Sequence, residues 1–560
     1  MTHVDVVVIG SGLGGLSSGA YLAANGQRVL VCEQYDVAGG CSQVFRRKRE
    51  WQFDVGLHYV GGVHRGEIGS VLRGVGLEGR MEWIEMDPDG FDTLLFPQHE
   101  VRVPKGWDAY AGRLREAFPS EGEGLDRCLR ILRGVAEQLR NVPMPKSKLD
   151  LLRFPFRAGT VVAWGMHSLD DLFDHCRLSA EARAVIVAQS GDYATPPSRT
   201  PVALHAGLLD HYLDEGAFYL RGGGQTLAAH LLDVIHTHGG RVRTHARVEH
   251  IAVADGRVRG VRLQTGEEIR ADAVVSTADI KQTYTRLLDR TAVSSRFRER
   301  VRSFRMATPL FCVYLGIDRD LRDAMPNTNY WCHPDYDPEG AYAKATSGEI
   351  GERPPVYITS ATVKDPDGHG HAPAGCSTLE LMTWTTPSTD AWGVPGLEPA
   401  TDRYSKDDAY RQTKTALSER LIDVAEDVLG DLRPHIRWQE AATPLTHERY
   451  TLSTDGASYG IELATDQTGP RRPAARTPVG GLYLAGASAR SGHGIVGALS
   501  GGREAASQVL DRDLAAEVRK GAVFADVDRL TAGGPDFDAL AACRRLQDKA
   551  RRRPRAAVPA

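Results

Sequence analysis

Cysteine is sparse in this chain and never paired in sequence. The eight present (Cys32, Cys41, Cys128, Cys176, Cys312, Cys332, Cys376 and Cys543) are scattered, with no C-x-x-C. A disulfide framework or a zinc site is therefore not expected, and a reducing cytoplasm is the expected location. No segment approaches the roughly 20 apolar residues needed to cross a bilayer. The first residues lack a basic region followed by a long apolar one, so no signal peptide is read. Any membrane contact should be peripheral. Charge of one sign is also missing. The 68 Lys and Arg against 72 Asp and Glu leave a formal net charge of −4, which gives no reason to expect a nucleic-acid partner. No paired carboxylates stand out along the chain.

What is present begins at once. A chain of 560 residues is too long for one ordinary core, so two domains are expected. "VDVVVIG" reads as a short buried parallel strand. Gly10, Gly12 and Gly15 follow in G-x-G-x-x-G spacing, with Leu13 and Gly14 inside the turn. The first glycine allows the tight turn, the second lets backbone approach a pyrophosphate, and the third lets a helix pack on the strand. "LSSGAYLAANG" has helical spacing, with Leu16, Ala20 and Ala23 or Ala24 on one side. "RVLVCE" is a second strand ending in Glu33, where an acid can accept hydrogen bonds from a ribose. Strand, turn, helix, strand and acid in this order imply a dinucleotide site, but these residues alone do not choose between NAD and FAD.

The choice comes from what lies further on. A glycine pair, Gly39-Gly40, is followed by "FDVGLHYVGG" from Phe53 to Gly62. Far down the chain stands "GGLYLAGASARSGHGIVGALSGG", and mid-chain a helix and strands run from Tyr219 to Asp279. Together these blocks resemble the flavoprotein superfamily of amine oxidases and phytoene desaturases. The resemblance implies FAD, held by Gly10, Gly12, Leu13, Gly14, Gly15, Glu33, Gln34, Gly40, Cys41, Ser42, Gly56, Leu57 and His58 near the N-terminus. It adds Val248 against the adenine, Gly486 and Ala487 near the ribityl-pyrophosphate, and Gly494, Ile495 and Val496 by the isoalloxazine. The family's usual Arg after the glycine pair is replaced by Cys41, so Arg46 or Arg47 is a candidate substitute charge. "RGGGQT" lacks a preceding strand and the right spacing. NAD(P)H therefore enters only as an external reductant, without a domain of its own.

The fold class implied is α/β: a Rossmann-like FAD-binding domain with a parallel sheet (GR2, amine-oxidase-like) interleaved with a mixed α+β substrate domain. The FAD domain is expected in three pieces, 1–70, 215–290 and 475–512, and the substrate domain in two, 71–214 and 291–474. Residues 513–560 read as a linker with room for one short helix, then a disordered basic tail.

"FDVGLHYVGG", "GDYATPPSRTPVALHAGLLDHYLDEGAFYLRGGGQ" (191–225), "TSATVKDPDGHG" and "ATPLTHERYT" are similar to blocks of retinol saturases (all-trans-retinol 13,14-reductases). "SGHGIVGALSGG" resembles the carotenoid isomerase version. The activity implied is redox chemistry at a carbon–carbon double bond of a long apolar substrate, such as a polyene alcohol, a carotenoid, an unsaturated acyl chain or a polyketide. A carotenoid-type desaturase or cis-trans isomerase shares the architecture. So does a non-catalytic lipid-binding chaperone, although that class loses the flavin motifs. His58 and Tyr59 are the candidates for proton donor or for orienting the flavin, and His493 ranks second. A metal is not expected. "DGHGH" (Asp367 to His371) reads as a solvated loop, since a metal site needs further ligands and a rigid frame. "NYWCHPDYD" and "LELMTWTT" read as strand core first and substrate tunnel second. In 143–165, cations alternate with Leu and Phe, which fits a surface-docking segment and equally a lid or core helix of the substrate domain, and Pro155 should break any long helix there.

Overall fold

The structure, a computed structural model, describes residues 2–142, 148–368, 370–534 and 537–549. The β-branched opening run forms strand β1 (Thr2–Ile9), with Val6, Val7 and Val8 essentially inaccessible. Helix α1 (Leu13–Ala24) and strand β2 (Val29–Cys32) follow. Mid-chain come helix α2 (Gly224–Thr237) and strands β3 (Arg241–Thr244), β4 (Val248–Ala254), β5 (Arg257–Leu263) and β6 (Glu268–Ser276). Strand β7 (Leu482–Leu484), helix α3 (Gly494–Leu510) and strand β8 (Gln547–Lys549) come late in the chain.

These strands make one sheet in the order β4-β5-β6-β1-β2-β3-β8, with β7 also on β6. From β6 through β8 the pairing is parallel, as is β7 on β6. The β4–β5–β6 meander is antiparallel. Segment 241–254 reads in sequence as one strand. It is two, because His245 adopts φ +51° and redirects the chain from the parallel sheet into the meander.

The periodicity of α1 suggests one apolar side, yet every residue from Leu13 to Ala23 is buried. The helix lies between the sheet, α2 and α3, and small residues make that possible. A Cβ on Gly19 would meet Ile235 Cδ1 of α2 at 3.0 Å, and one on Gly502 would meet the Gly14 carbonyl oxygen at 2.5 Å. Helices thus approach to backbone contact, as the third glycine of a dinucleotide turn requires.

A second sheet carries seven strands in the order 436–442, 310–317, 377–384, 356–359, 329–332, 92–95 and 100–103. Only the pairing of 329–332 with 92–95 is parallel. Strand Ser377–Trp384 is buried along its whole length. One face packs Leu379 and Leu381 on helix Asp408–Leu429, and Met382 joins the core under helices Gly122–Asn141 and Val202–Leu213. A strand covered on both faces loses polar alternation, which explains the apolar reading of "LELMTW".

Residues 513–549 carry more structure than the linker and short helix expected of them. Helices Leu514–Arg519 and Ala539–Leu546 pack down, with Leu514, Val518 and Cys543 buried, and β8 extends the parallel sheet beyond β3. Gln547 accepts a hydrogen bond from the Ala38 amide and donates to the Asp36 carbonyl, tying this segment to the loop before Gly39. Its apolar residues are few and dispersed, so they show no period until the sheet edge is there to receive them. The arginine-rich end, 550–560, lies outside the described residues. Among the described residues no helix is long and apolar enough to cross a membrane.

Candidate active site

The glycine turns converge. Gly10 takes φ +93°, and a Cβ there would meet Thr277 Oγ1 at 2.5 Å. Gly15 lies against Gly10, where a Cβ would stand 2.0 Å from its carbonyl oxygen. Gly40 takes φ +58° and stacks on Gly12, with 2.7 Å between a built Cβ and Gly12 Cα. Gly14 lies against Gly486 in the same way, at 2.8 Å from its nitrogen. The N-terminal and C-terminal motifs, some 470 residues apart in sequence, therefore share one surface. Ser42 donates to the Gly224 carbonyl and so joins α2 to the group.

Three features fit a dinucleotide. At Gly12 and at Gly494 a Cβ would meet nothing within 4 Å, so open space lies in front of both helices. Neither α1 nor α3 has a side-chain N-cap, which leaves backbone N–H donors and the positive helix end for an anion. His493, at the N-cap of α3, has a shielded Nε2 without a hydrogen-bond partner. Glu33 is buried, accepts from the Ser11 amide at 2.9 Å and hydroxyl at 2.7 Å, and takes the Tyr35 amide on its other oxygen. Val248 begins β4, two residues after Ala246, whose amide donates to the Glu33 carbonyl. Leu13 and Leu57 are buried, while Ile495 and Val496 are half-buried in the first turn of α3. Gln34 turns away, donating to the Tyr450 carbonyl.

Some expectations change. Arg46 is held by Asp538 and Gln52, and Arg47 by Glu440, so both cations already have carboxylate partners. A cation that the sequence did not suggest stands nearer. Arg472 is 1 % exposed and donates to the carbonyls of Ala487, Ala489 and Ile461, holding the turn before α3. Burial lowers its pKa to about 9. Burial and the Arg472 charge lower His493 to about 3, which favours a neutral ring at physiological pH. Cys41 is exposed, with its sulfur 3.9 Å from His447 Nε2. "DGHGH" is not wholly a solvated loop, because His371 is buried and pairs with Asp365 at 3.0 Å, while position 369 lies outside the described residues. No group of three or more potential metal ligands occurs among the described residues.

A cavity adjoins these turns, enclosing about 630 Å³ of space that is partly open to solvent. Gly56 is the joint. It lines the cavity, and a Cβ on it would lie 3.2 Å from the Cys41 carbonyl oxygen. Much of the wall is aromatic, with Trp331, Tyr357, Trp384 and Tyr459. The first three come from strands of the second sheet, so "NYWC" and "LELMTW" are strands, as read first from sequence, and each also gives one aromatic side chain to the cavity wall.

One part of the wall is polar. His58 pairs through Nδ1 with buried Glu380 at 2.8 Å. Glu380 also accepts from the Asp54 amide. Asp54, of "FDVG", accepts the Gly224 amide at 2.8 Å and the Tyr219 hydroxyl at 2.5 Å, placing a carboxylate at the start of α2. Burial, reinforced by Glu380, raises its pKa. Buried Lys364 donates to the His58 carbonyl and to Thr359. Tyr59 stacks on Tyr212 with centroids 4.6 Å apart, and its hydroxyl lies 3.0 Å from carboxylates of both Asp92 and Asp192. Paired carboxylates thus exist twice, Asp92 with Asp192 and Asp54 with Glu380. The sequence conceals them because the partners are 100 and 326 residues apart.

Comparison with known proteins places this geometry. The chain is 30% identical over 542 residues to the all-trans-retinol 13,14-reductase of Macaca fascicularis, covering 92% of this chain and 87% of that protein. It is 25% identical over 504 residues to the chloroplastic prolycopene isomerase of Daucus carota, covering 88% and 77%. Its fold matches the crystal structure of an oxidoreductase from Methanosarcina mazei with a TM-score of 0.62 at 16% identity, covering 91% of this chain and 100% of that one. The model of the flavin containing amine oxidoreductases matches residues 13–510. The chain belongs to that family of FAD-dependent oxidoreductases.

Proposed function

We propose that this protein reduces a carbon–carbon double bond in a long apolar, polyene-like substrate, as the name of its retinol 13,14-reductase relatives describes. One observation carries the reading. The cavity has an aromatic wall and one polar patch, and it meets the glycine turns at Gly56. Bound FAD supplies a two-electron carrier that exchanges hydride. In this reading the helix start at Leu13 holds its phosphates, the helix start at Gly494 lies by its ring, and Glu33 and Val248 receive its adenosine half. Gly486, Ala487, Ile495 and Val496 face its central part and ring.

The protein's own share is to bind, orient and manage a proton. Tyr357, Trp384 and Tyr459 offer flat apolar faces to a polyene. His58 and Tyr59 are the polar groups from the sequence motif that reach the cavity. His58 is oriented by Glu380, and Tyr59 by two carboxylates.

Substrate entry has its own candidate surface. Among the apolar side chains of 152–166, Leu152 is 72% exposed, Phe156 92%, Val162 54% and Met166 45%. Helix Lys148–Arg157 contains Pro155 and ends two residues before the next helix, Gly159–Trp164. Apolar tips beside Arg153 and Arg157 suit shallow insertion at a lipid surface. Peripheral attachment of a cytoplasmic enzyme is part of this reading, with NAD(P)H or another external reductant recharging the flavin.

The deciding experiment is anaerobic. The flavin is reduced, mixed with a panel of conjugated lipids, and followed by absorbance with mass analysis of products. Reoxidation with a gain of two hydrogens supports a saturase. Unchanged mass with a displaced or inverted double bond supports an isomerase, and absence of any flavin binding ends the enzymatic reading.

A further inference from the structure

The hydrogen bonds around Tyr59 do not balance unless an extra proton is present. A phenol carries one proton, and here its oxygen lies 3.0 Å from Asp92 Oδ2 and 3.0 Å from Asp192 Oδ2. With both carboxyls ionised, Tyr59 could donate to only one of them. The other contact would set a carboxylate lone pair against a phenol lone pair in a buried site, which is costly. Two carboxylates bridged by a single oxygen also disfavour double ionisation, as in any close acidic pair. A proton on one carboxyl resolves both problems.

The surroundings decide which one holds it. Asp92 is fully buried in strand 92–95 and also accepts from the side-chain amides of Gln189 and Asn329. Two amide donors besides Tyr59 favour the anion there. Among the described residues Asp192 accepts only from the phenols, Tyr59 and Tyr212, both on Oδ2, and it lines the cavity. A protonated Oδ2 can still accept from Tyr212 while donating to Tyr59, which then donates to Asp92. Every contact is filled in that arrangement.

We propose that Asp192 holds the proton of the Asp92–Tyr59–Asp192 group and delivers it to a carbon of the substrate bound in the cavity. The ordering of the acidities agrees: burial and the neighbouring Asp92 charge raise Asp192 to about 7, and burial raises Asp92 to about 6. In the reducing direction the Asp192 Oδ2–H turns from Tyr59 toward the cavity, the O–H bond breaks and its proton forms one new C–H bond. The hydride equivalent from the reduced flavin forms the other, the π bond is lost, and the Asp192 carboxylate regains a proton from water. Tyr59 acts as a positioning residue in this scheme, holding the carboxyl and setting its proton toward one side. The inference rests on the function proposed above for its chemical step, but the location of the proton can be tested without it.

The test compares the full-length FAD-loaded protein with Asp192→Asn and Asp192→Glu. Flavin absorbance and thermal melting establish that the variants are folded and loaded. Infrared spectra at pH 6 in H2O and D2O are expected to show a deuterium-sensitive protonated-carboxyl band in the wild type that is absent in Asp192→Asn and shifted in Asp192→Glu. Single-turnover reoxidation by a conjugated lipid is expected to slow by on the order of 10²–10⁴-fold in Asp192→Asn, with partial recovery in Asp192→Glu. A band that survives unchanged in Asp192→Asn overturns the proton assignment. Wild-type turnover by Asp192→Asn overturns the donor role. Failure of the wild type to react with any conjugated lipid counts against the proposed function, while the infrared band still decides where the proton resides.

Discussion

Gly12 and Gly15 belong to one motif, yet their substitutions should fail in different ways. Gly12 caps α1 at φ −64° and ψ 172°, a conformation open to any L-residue, and a Cβ there meets no protein atom within 4 Å. Valine at this position should leave the flavin-free fold within about 1 kcal/mol of the wild type, combining a minor capping loss with an otherwise contact-free change. Its branched side chain instead occupies the space in front of the helix start. Losing two charge-assisted hydrogen bonds to a phosphate, each worth about 1.5–3 kcal/mol, weakens binding by roughly 3–6 kcal/mol, or on the order of 10²–10⁴-fold. Gly15→Ala puts a Cβ 2.0 Å from the Gly10 carbonyl oxygen. That must displace α1 or β1, so the flavin-free protein itself should melt lower. The assay is FAD titration of deflavinated protein by calorimetry, paired with thermal melts without FAD. The reasoning is refuted if Gly12→Val binds FAD within a factor of about three of the wild type, or if its flavin-free form unfolds as readily as Gly15→Ala.

Other expectations are equally direct. Lys364 is buried, and its pKa falls from 10.5 to about 8 because burial outweighs the nearby carboxylates of Glu380, Asp54 and Asp92. The unfolded chain therefore binds more protons between those values, and stability relative to Lys364→Met should rise by roughly 3 kcal/mol from pH 8 to pH 10.5 in denaturant titrations; a flat difference would contradict it. At Gly191 an added Cβ would stand 2.6 Å from the Trp331 ring. Gly191→Ala should push that ring into the cavity, raising KM for a bulky substrate several-fold and leaving FAD affinity unchanged. Replacing both Leu152 and Phe156 by Asp should abolish co-sedimentation with anionic phospholipid vesicles without altering the melting temperature, and undiminished co-sedimentation would dismiss that surface. Truncation after residue 512 removes β8 and the buried Leu514, Val518 and Cys543, and should lower it sharply.

The sequence alone determined the cofactor fold, because that fold is written in local rules. A β-branched run, glycines at fixed spacing and a terminal acid each obey constraints acting over a few residues, and their order survives whatever lies between. His58 and Tyr59, singled out through the resemblance of "FDVGLHYVGG", both line the cavity. Tertiary structure decided what depends on distance through space. Small residues of α1 are buried all round because α2 and α3 both press on it, a demand that single-helix periodicity cannot express. The tail at 513–549 becomes structure only because β3 offers an open parallel edge. Asp92 and Asp192, unremarkable in separate stretches, become an acidic pair when the phenol of Tyr59 is placed between them. Carboxylates acquire chemistry from low dielectric and from each other, and neither is visible until the chain has closed around them.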